Sequence, residues 1–119
     1  MQYNNRNRPD LLMSSIEAQA LSKLKRSLLR SLDFVEEIVL FGSVARGEAD
    51  AESDIDLLVL TARPITYKER HQITAAITDI NLEYETNFSS IVVDRDAWER
   101  GAISHLPIKA NIEREGVLV

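Results

Sequence analysis

Cysteine is absent from this sequence, which excludes disulfides, zinc–thiolate sites and thiol catalysis together. Long apolar runs are absent as well, since none approaches the roughly 20 residues that cross a bilayer. The polar residues 1–10 contain no apolar core of the kind found in signal peptides. We therefore expect a cytoplasmic protein that makes no membrane contact.

Positive charge is scarce in the middle of the chain. Residues 31–62 carry eight acidic side chains and one basic side chain, Arg46. Binding to a nucleic-acid backbone rests on many lysine and arginine contacts, so we expect no such binding by this acidic region. Clustered carboxylates suit metal ions better.

The 119 residues fit one domain, which we place at residues 9–119 after a disordered tail at residues 1–8. Apolar residues recur every three or four positions in some segments and form short unbroken runs in others. The helices predicted on this basis are 9–32, 66–80 and 107–115, and the strands are 38–41, 57–60 and 88–93. Asn81 to Asn87 is either the approach to the third strand or a short strand itself, and Asp94 caps a helical turn that contains Trp98.

The alternation of helices and buried strands predicts an α/β (α+β) domain, a sheet with helices packed against it. The loop between the first two strands is too short for a crossover helix of a dozen or more residues. These two strands are therefore either antiparallel or joined by an abbreviated helix.

The segment 42–56 carries the functional signal, and two familiar motifs fail to explain it. Gly42 and Gly47 have the spacing of a Walker phosphate-binding loop, but Glu48 stands where that loop needs lysine. Alternating acids at 50–56 are similar to a calcium loop, yet Ile55 takes the place of its turn glycine and Thr61 that of its last glutamate.

A shared magnesium site fits this segment without a missing part. Asp54 and Asp56 are two residues apart at the start of a strand, so their side chains point to the same face. Mg²⁺ commonly takes one or two carboxylates and completes its shell with water and phosphate oxygens. Gly42 lets a phosphate approach the backbone closely, and Ser43 offers a hydroxyl and an N–H. Arg46 either steadies a phosphate chain or pairs with Glu48 or Asp50.

The fuller text of the segment, Gly-Ser-Val-Ala-Arg-Gly followed by Ser-Asp-Ile-Asp-Leu, closely resembles the signature of the minimal nucleotidyltransferases of the DNA polymerase β superfamily. The resemblance implies a small mixed sheet flanked by helices, two Mg²⁺ ions, and transfer of a nucleoside monophosphate, with AMP from ATP the expected case. Gly42 and Ser43 would hold the triphosphate, and Asp54 and Asp56 would hold the metals. Such proteins are commonly encoded beside small helical HEPN proteins as toxin and antitoxin pairs, so the resemblance implies a HEPN partner or a homo-oligomer.

The family usually adds a third carboxylate from a later strand that faces the aspartate pair. Here that strand has Ser89 and Ser90 in its place. Glu83, Glu85 and Asp94 are the remaining candidates for the third carboxylate. This departure bears on catalysis and leaves the nucleotide-binding interpretation unchanged; the alternative function is that of an antitoxin that covers a HEPN-type toxin.

Overall fold

The computed structural model of the protein describes residues 12–48 and 53–119. The tail predicted at residues 1–8 lies outside these residues. Within the described residues, five helices and four strands follow one another, with a short 3₁₀ helix at Ala102–His105 before the last helix. Their bounds are α1 Ser15–Ser31, β1 Val35–Phe41, α2 Gly42–Ala45, β2 Ile55–Thr61, α3 Tyr67–Tyr84, β3 Phe88–Asp94, α4 Arg95–Arg100, α5 Pro107–Glu115 and β4 Val117–Leu118.

The four strands form one mixed sheet in the order β3-β2-β1-β4. β1 is antiparallel to both β2 and β4, whereas β2 and β3 are parallel. The long helix α3 makes the connection that a parallel pair requires. In its described part, the segment between β1 and β2 contains the four-residue helix α2, and the two strands are antiparallel, so both alternatives for this connection are present. The predicted mixed sheet flanked by helices is confirmed.

Two apolar clusters cover the two faces of the sheet. The larger one joins α1 and α3 to the face that carries Ile55 and Leu57. The smaller one joins α4 and α5 to the opposite face, and its buried members are Val39, Leu58, Leu60, Trp98 and Ile112. Since side chains alternate along a strand, Asp56 lies on the same face as Leu58 and Leu60. The acidic end of β2 therefore belongs to the face that α4 and α5 only partly cover.

The first helix begins later than its apolar spacing predicts. α1 starts at Ser15, after an N-cap at Ser14 whose hydroxyl accepts a hydrogen bond from the Glu17 N–H at 3.1 Å. The Glu17 carboxylate accepts the Ser14 N–H in return at 2.9 Å, which completes a capping box. The predicted start at Pro9 is wrong in its described part, because Leu12 packs on the core without being helical. Pro9 itself lies outside the described residues.

The prediction that residues 81–87 are the approach to the third strand or a short strand is wrong for residues 81–84, because α3 continues to Tyr84. Its C-cap is Glu85, with a left-handed φ of 55°. The Asn81 side chain then donates to the Phe88 carbonyl at 3.0 Å and accepts from the Phe88 N–H at 2.9 Å. This pair of bonds fixes where β3 begins, and with it the positions of Asn87 and Ser89.

The predicted first strand is too short at its beginning. β1 starts at Val35 and includes two acidic residues that the apolar run leaves out. The Arg95 guanidinium lies 2.7 Å from Glu36 and 3.5 Å from Glu37, so an ion pair from α4 compensates both charges.

No helix within residues 12–48 and 53–119 is both long and apolar enough to cross a membrane.

Candidate active site

The site begins where β1 turns into α2, beside the start of β2. Phe41 pairs with Asp56 in the antiparallel ladder, so the next residue, Gly42, lies against the Asp56 carboxylate. A Cβ atom on Gly42 would be 2.3 Å from Asp56 Oδ2, and the glycine has a φ of 80°. Both the close approach and the left-handed backbone exclude a larger residue here. Glycine at position 42 therefore gives Asp56 its place at the head of the cleft.

The two aspartates at the start of β2 each accept a hydrogen bond from the neighbouring strand. Ser89 Oγ donates to Asp56 Oδ1 at 2.9 Å, across a register that pairs these two residues directly. Asn87 Nδ2 donates to Asp54 Oδ1 at 2.5 Å. Asp54 is exposed and Asp56 half-buried, so both carboxylates keep contact with solvent. Neutral donors therefore orient both carboxylates: Asn87 just before β3 and Ser89 within it.

None of the three candidates for a third carboxylate faces this pair in a described contact. Glu83 is bound by Lys23 at 2.7 Å between α1 and α3, and Glu85 is the exposed C-cap of α3. Asp94 pairs with Thr61, five residues along β2 from Asp56, which is a separation of roughly 16 Å. Within the described residues, no group of three or more acidic, histidine or cysteine side chains is placed to hold a metal ion. Ser89 stands where the third carboxylate would be.

A cleft of about 440 Å³ opens in front of Asp56. It brings together four of the predicted site residues, while Asp54 lies beside Asp56 outside the lining. One wall of the cleft comes from the segment 41–46 with Asp56, and the other comes from α5, which the sequence analysis did not connect with the site. The lining residues are Phe41, Gly42, Ser43, Arg46, Asp56, Asn111, Arg114 and Glu115. The spacing 111, 114 and 115 puts three polar side chains on one helix face, and this is the only local sign of their role.

Arg46 is held in this cleft by two carboxylates. Its Nε is 3.1 Å from Glu48 Oε2, and its Nη1 is 3.1 Å from Glu115 Oε2. The hydrogen bonds that Arg46 donates, to Glu48 first and then to Glu115, raise the pKa of Arg46. The predicted pairing with Glu48 is confirmed, whereas Asp50 lies outside the described residues. A permanent positive charge therefore lies in the same cleft as Asp56.

The donor set fits a magnesium ion. Asp54 and Asp56 offer carboxylate oxygens, the first bonded by the Asn87 amide and the second by the Ser89 hydroxyl. Hard divalent cations prefer oxygen donors, and Mg²⁺ keeps much of its shell for water and substrate phosphates. Two carboxylates are therefore sufficient for an ion that is shared with a bound triphosphate.

A mixed sheet with an aspartate pair beside a glycine turn agrees with the resemblance to the nucleotidyltransferases, enzymes that transfer nucleotidyl groups. A family model described as "Nucleotidyltransferase domain" matches residues 21–119, and the chain belongs to this family. The resemblance inferred from the sequence is thereby confirmed at the level of the family.

The proteins similar to this chain include the following two. A Methanocaldococcus jannaschii protein named "Putative protein adenylyltransferase" is 38% identical over 60 residues, which span 50% of this chain and 61% of that relative. A crystal structure described as a "putative nucleotidyltransferase" from Sulfolobus solfataricus matches with a TM-score of 0.59 and 20% identity, over 95% of this chain and 87% of that one. At this identity the second similarity shows the fold alone.

Proposed function

We propose that this domain, residues 9–119, transfers AMP from ATP to a hydroxyl group of a partner protein in a Mg²⁺-dependent reaction. One observation carries the proposal: the Asp56 carboxylate lies against Gly42 at the head of a cleft that also contains Arg46. Carboxylates for a metal, a glycine turn for a phosphate and a cation for the phosphate chain are thus adjacent. The name of the Methanocaldococcus jannaschii relative supports both the adenylyl group and the protein acceptor.

The roles of the residues follow from their places. Asp54 and Asp56 would hold Mg²⁺, which when bound neutralises phosphate charge as it develops. Gly42 and Ser43 receive the triphosphate close to the backbone, and Arg46 contacts its anionic oxygens. The acceptor oxygen then attacks the α-phosphorus, the bond to the β-phosphate oxygen breaks, and pyrophosphate leaves. The acceptor hydroxyl gives up its proton to solvent as its oxygen attacks.

The partner that we propose is a small helical protein of the HEPN type, or a second copy of this chain, in the cytoplasm. A second candidate function is that of an antitoxin that binds such a partner and covers it without modifying it. Ser89 favours this second function, because a hydroxyl stands at the place where a third carboxylate would assist transfer.

Transfer of label from α-labelled ATP to the partner tests the first function. We expect the double substitution Asp54→Asn and Asp56→Asn to abolish transfer, because neutral amides bind Mg²⁺ weakly. The matched control is Asp79→Asn with Asp96→Asn, which removes two carboxylates on α3 and α4 and should leave transfer unchanged. Equal transfer by the two double variants would show that the aspartate pair is not the metal site.

Co-purification followed by intact-mass measurement separates the two functions. After incubation with ATP and Mg²⁺, a partner heavier by one adenylyl group supports transfer. A tight complex whose partner keeps its unmodified mass supports covering instead.

A further inference from the structure

Two arginines in the cleft share one carboxylate. Glu115 Oε2 lies 3.1 Å from Arg46 Nη1, and Glu115 Oε1 lies 3.5 Å from Arg114 Nη2. Each oxygen of this carboxylate therefore faces a different guanidinium group. Arg46 follows α2 and Arg114 lies on α5, so the carboxylate bridges the two walls of the cleft.

The two arginines form an anion-binding site that the Glu115 carboxylate occupies. Guanidinium groups bind carboxylates and phosphates through the same charge-assisted N–H···O bonds. Arg114 also donates to Asn111 Oδ1 at 2.8 Å, which fixes its guanidinium beside the cleft. The side chain of Glu115 is only 24% exposed, compared with 65% for that of Arg114. An incoming anion would thus meet Arg114 from the solvent side and Glu115 behind it.

We infer that Glu115 is an internal competitor for the phosphate chain of the nucleotide, and that Arg114 is a second phosphate-binding residue beside Arg46. A phosphate group entering the cleft displaces the Glu115 carboxylate and takes over its contacts with both guanidinium groups. Arg46 keeps Glu48 as a partner during this exchange. The inference rests on the proposed function, whose substrate is the nucleoside triphosphate, and assigns the recognition of its phosphate tail to α5.

Calorimetric titration with inorganic tripolyphosphate, in chelator and at low salt, tests this inference. We expect Glu115→Gln to bind the probe about threefold to tenfold more tightly than Glu113→Gln. The control removes the same charge from the same helix, where Glu113 faces Lys109 at 3.9 Å. We expect Arg114→Gln to bind more weakly than Arg100→Gln by a similar factor, since Arg100 pairs with Asp96 on α4.

Equal affinities within either pair of variants, or no binding by any of them, would overturn the inference. Each of the four substitutions is at a side chain with an exposed part, and far-ultraviolet circular dichroism would check that the fold is intact in each variant. The titration contains no metal and involves no transfer. A negative result here therefore leaves the aspartate pair and the transfer reaction standing, whereas failure of the label-transfer experiment leaves the anion site standing.

Discussion

The hydroxyl of Ser89 donates a 2.9 Å hydrogen bond to Asp56 Oδ1 across the parallel pair of β2 and β3. A side chain at position 89 therefore points directly at the proposed metal-binding carboxylate. The minimal nucleotidyltransferases that the sequence resembles usually present a third carboxylate there. Serine at this place keeps Asp56 oriented but supplies neither a metal ligand of full charge nor a base.

Ser89→Asp should raise the rate of transfer by about 10-fold to 100-fold, because a positioned carboxylate can accept the acceptor proton. Without Mg²⁺ the new charge repels Asp56, so the variant should melt below the parent protein and gain more from added Mg²⁺. Label transfer and thermal melting with and without Mg²⁺ measure the two effects. Ser89→Asn is the neutral control, and a rate for Ser89→Asp no higher than that of the control would contradict the prediction.

Gly42→Ala should reduce transfer about 100-fold, since its Cβ would force the Asp56 carboxylate out of place. Gly47→Ala is the matched control: its φ is 72°, close to the 80° of Gly42, but a Cβ there would meet nothing within 4 Å. Both variants carry the cost of a left-handed alanine, about 1 kcal/mol. Only the first carries the clash, and steady-state transfer rates with a melting curve for each variant separate the two effects. Similar rates for both variants would mean that the contact with Asp56 is not what position 42 supplies.

The local part of the site could be predicted from the sequence, while the part contributed by distant segments could not. Gly42, Asp54 and Asp56 lie within 15 consecutive residues, so their spacing and the flanking apolar runs suffice. Arg114 and Glu115 reach the cleft only because α5 packs back over the sheet. The start of β1 could not be predicted for the same reason, because its acidic residues pair with Arg95, which lies 58 residues after Glu37. The apolar pattern also does not predict element starts that depend on side-chain capping, such as that of α1.

Trp98 is the largest fully buried side chain among residues 12–48 and 53–119, and it belongs to the smaller cluster, which packs α5 on the sheet. Trp98→Ala should lower the free energy of unfolding by about 3–5 kcal/mol, the usual cost of removing a large buried ring. Lys109 Nζ, on α5, lies 5.7 Å from the centre of the ring, so the cleft wall should loosen as well. Urea denaturation measures the first effect and tripolyphosphate titration the second. Trp98→Phe should lose less stability and less tripolyphosphate affinity than Trp98→Ala. Equal losses in the two variants would contradict a packing role for the indole.

Glu69 ties the start of α3 to the loop after β2. Its carboxylate accepts from Arg63 at 3.0 and 2.8 Å and from the Thr66 N–H at 2.9 Å. Hydrogen bonding from Arg63, followed by that from Thr66, lowers the pKa of Glu69 from 4.5 to about 2. Because the folded protein holds this carboxyl ionised more strongly than the unfolded chain, the stabilisation is complete above pH 4.5 and is lost as the pH falls towards 2.

Glu69→Gln should therefore melt lower than the parent at neutral pH, by roughly 2–5 °C for the loss of a helix cap and its partner. The difference should shrink as the pH falls through this window, because the parent loses the same contact by protonation. Melting temperatures of both proteins between pH 2 and 7 measure this difference. Arg63→Gln removes the main cause of the shift, so a carboxyl NMR titration of Glu69 in that variant should give a pKa closer to 4.5. An unchanged pKa in that variant would assign the shift to the helix cap instead of the guanidinium.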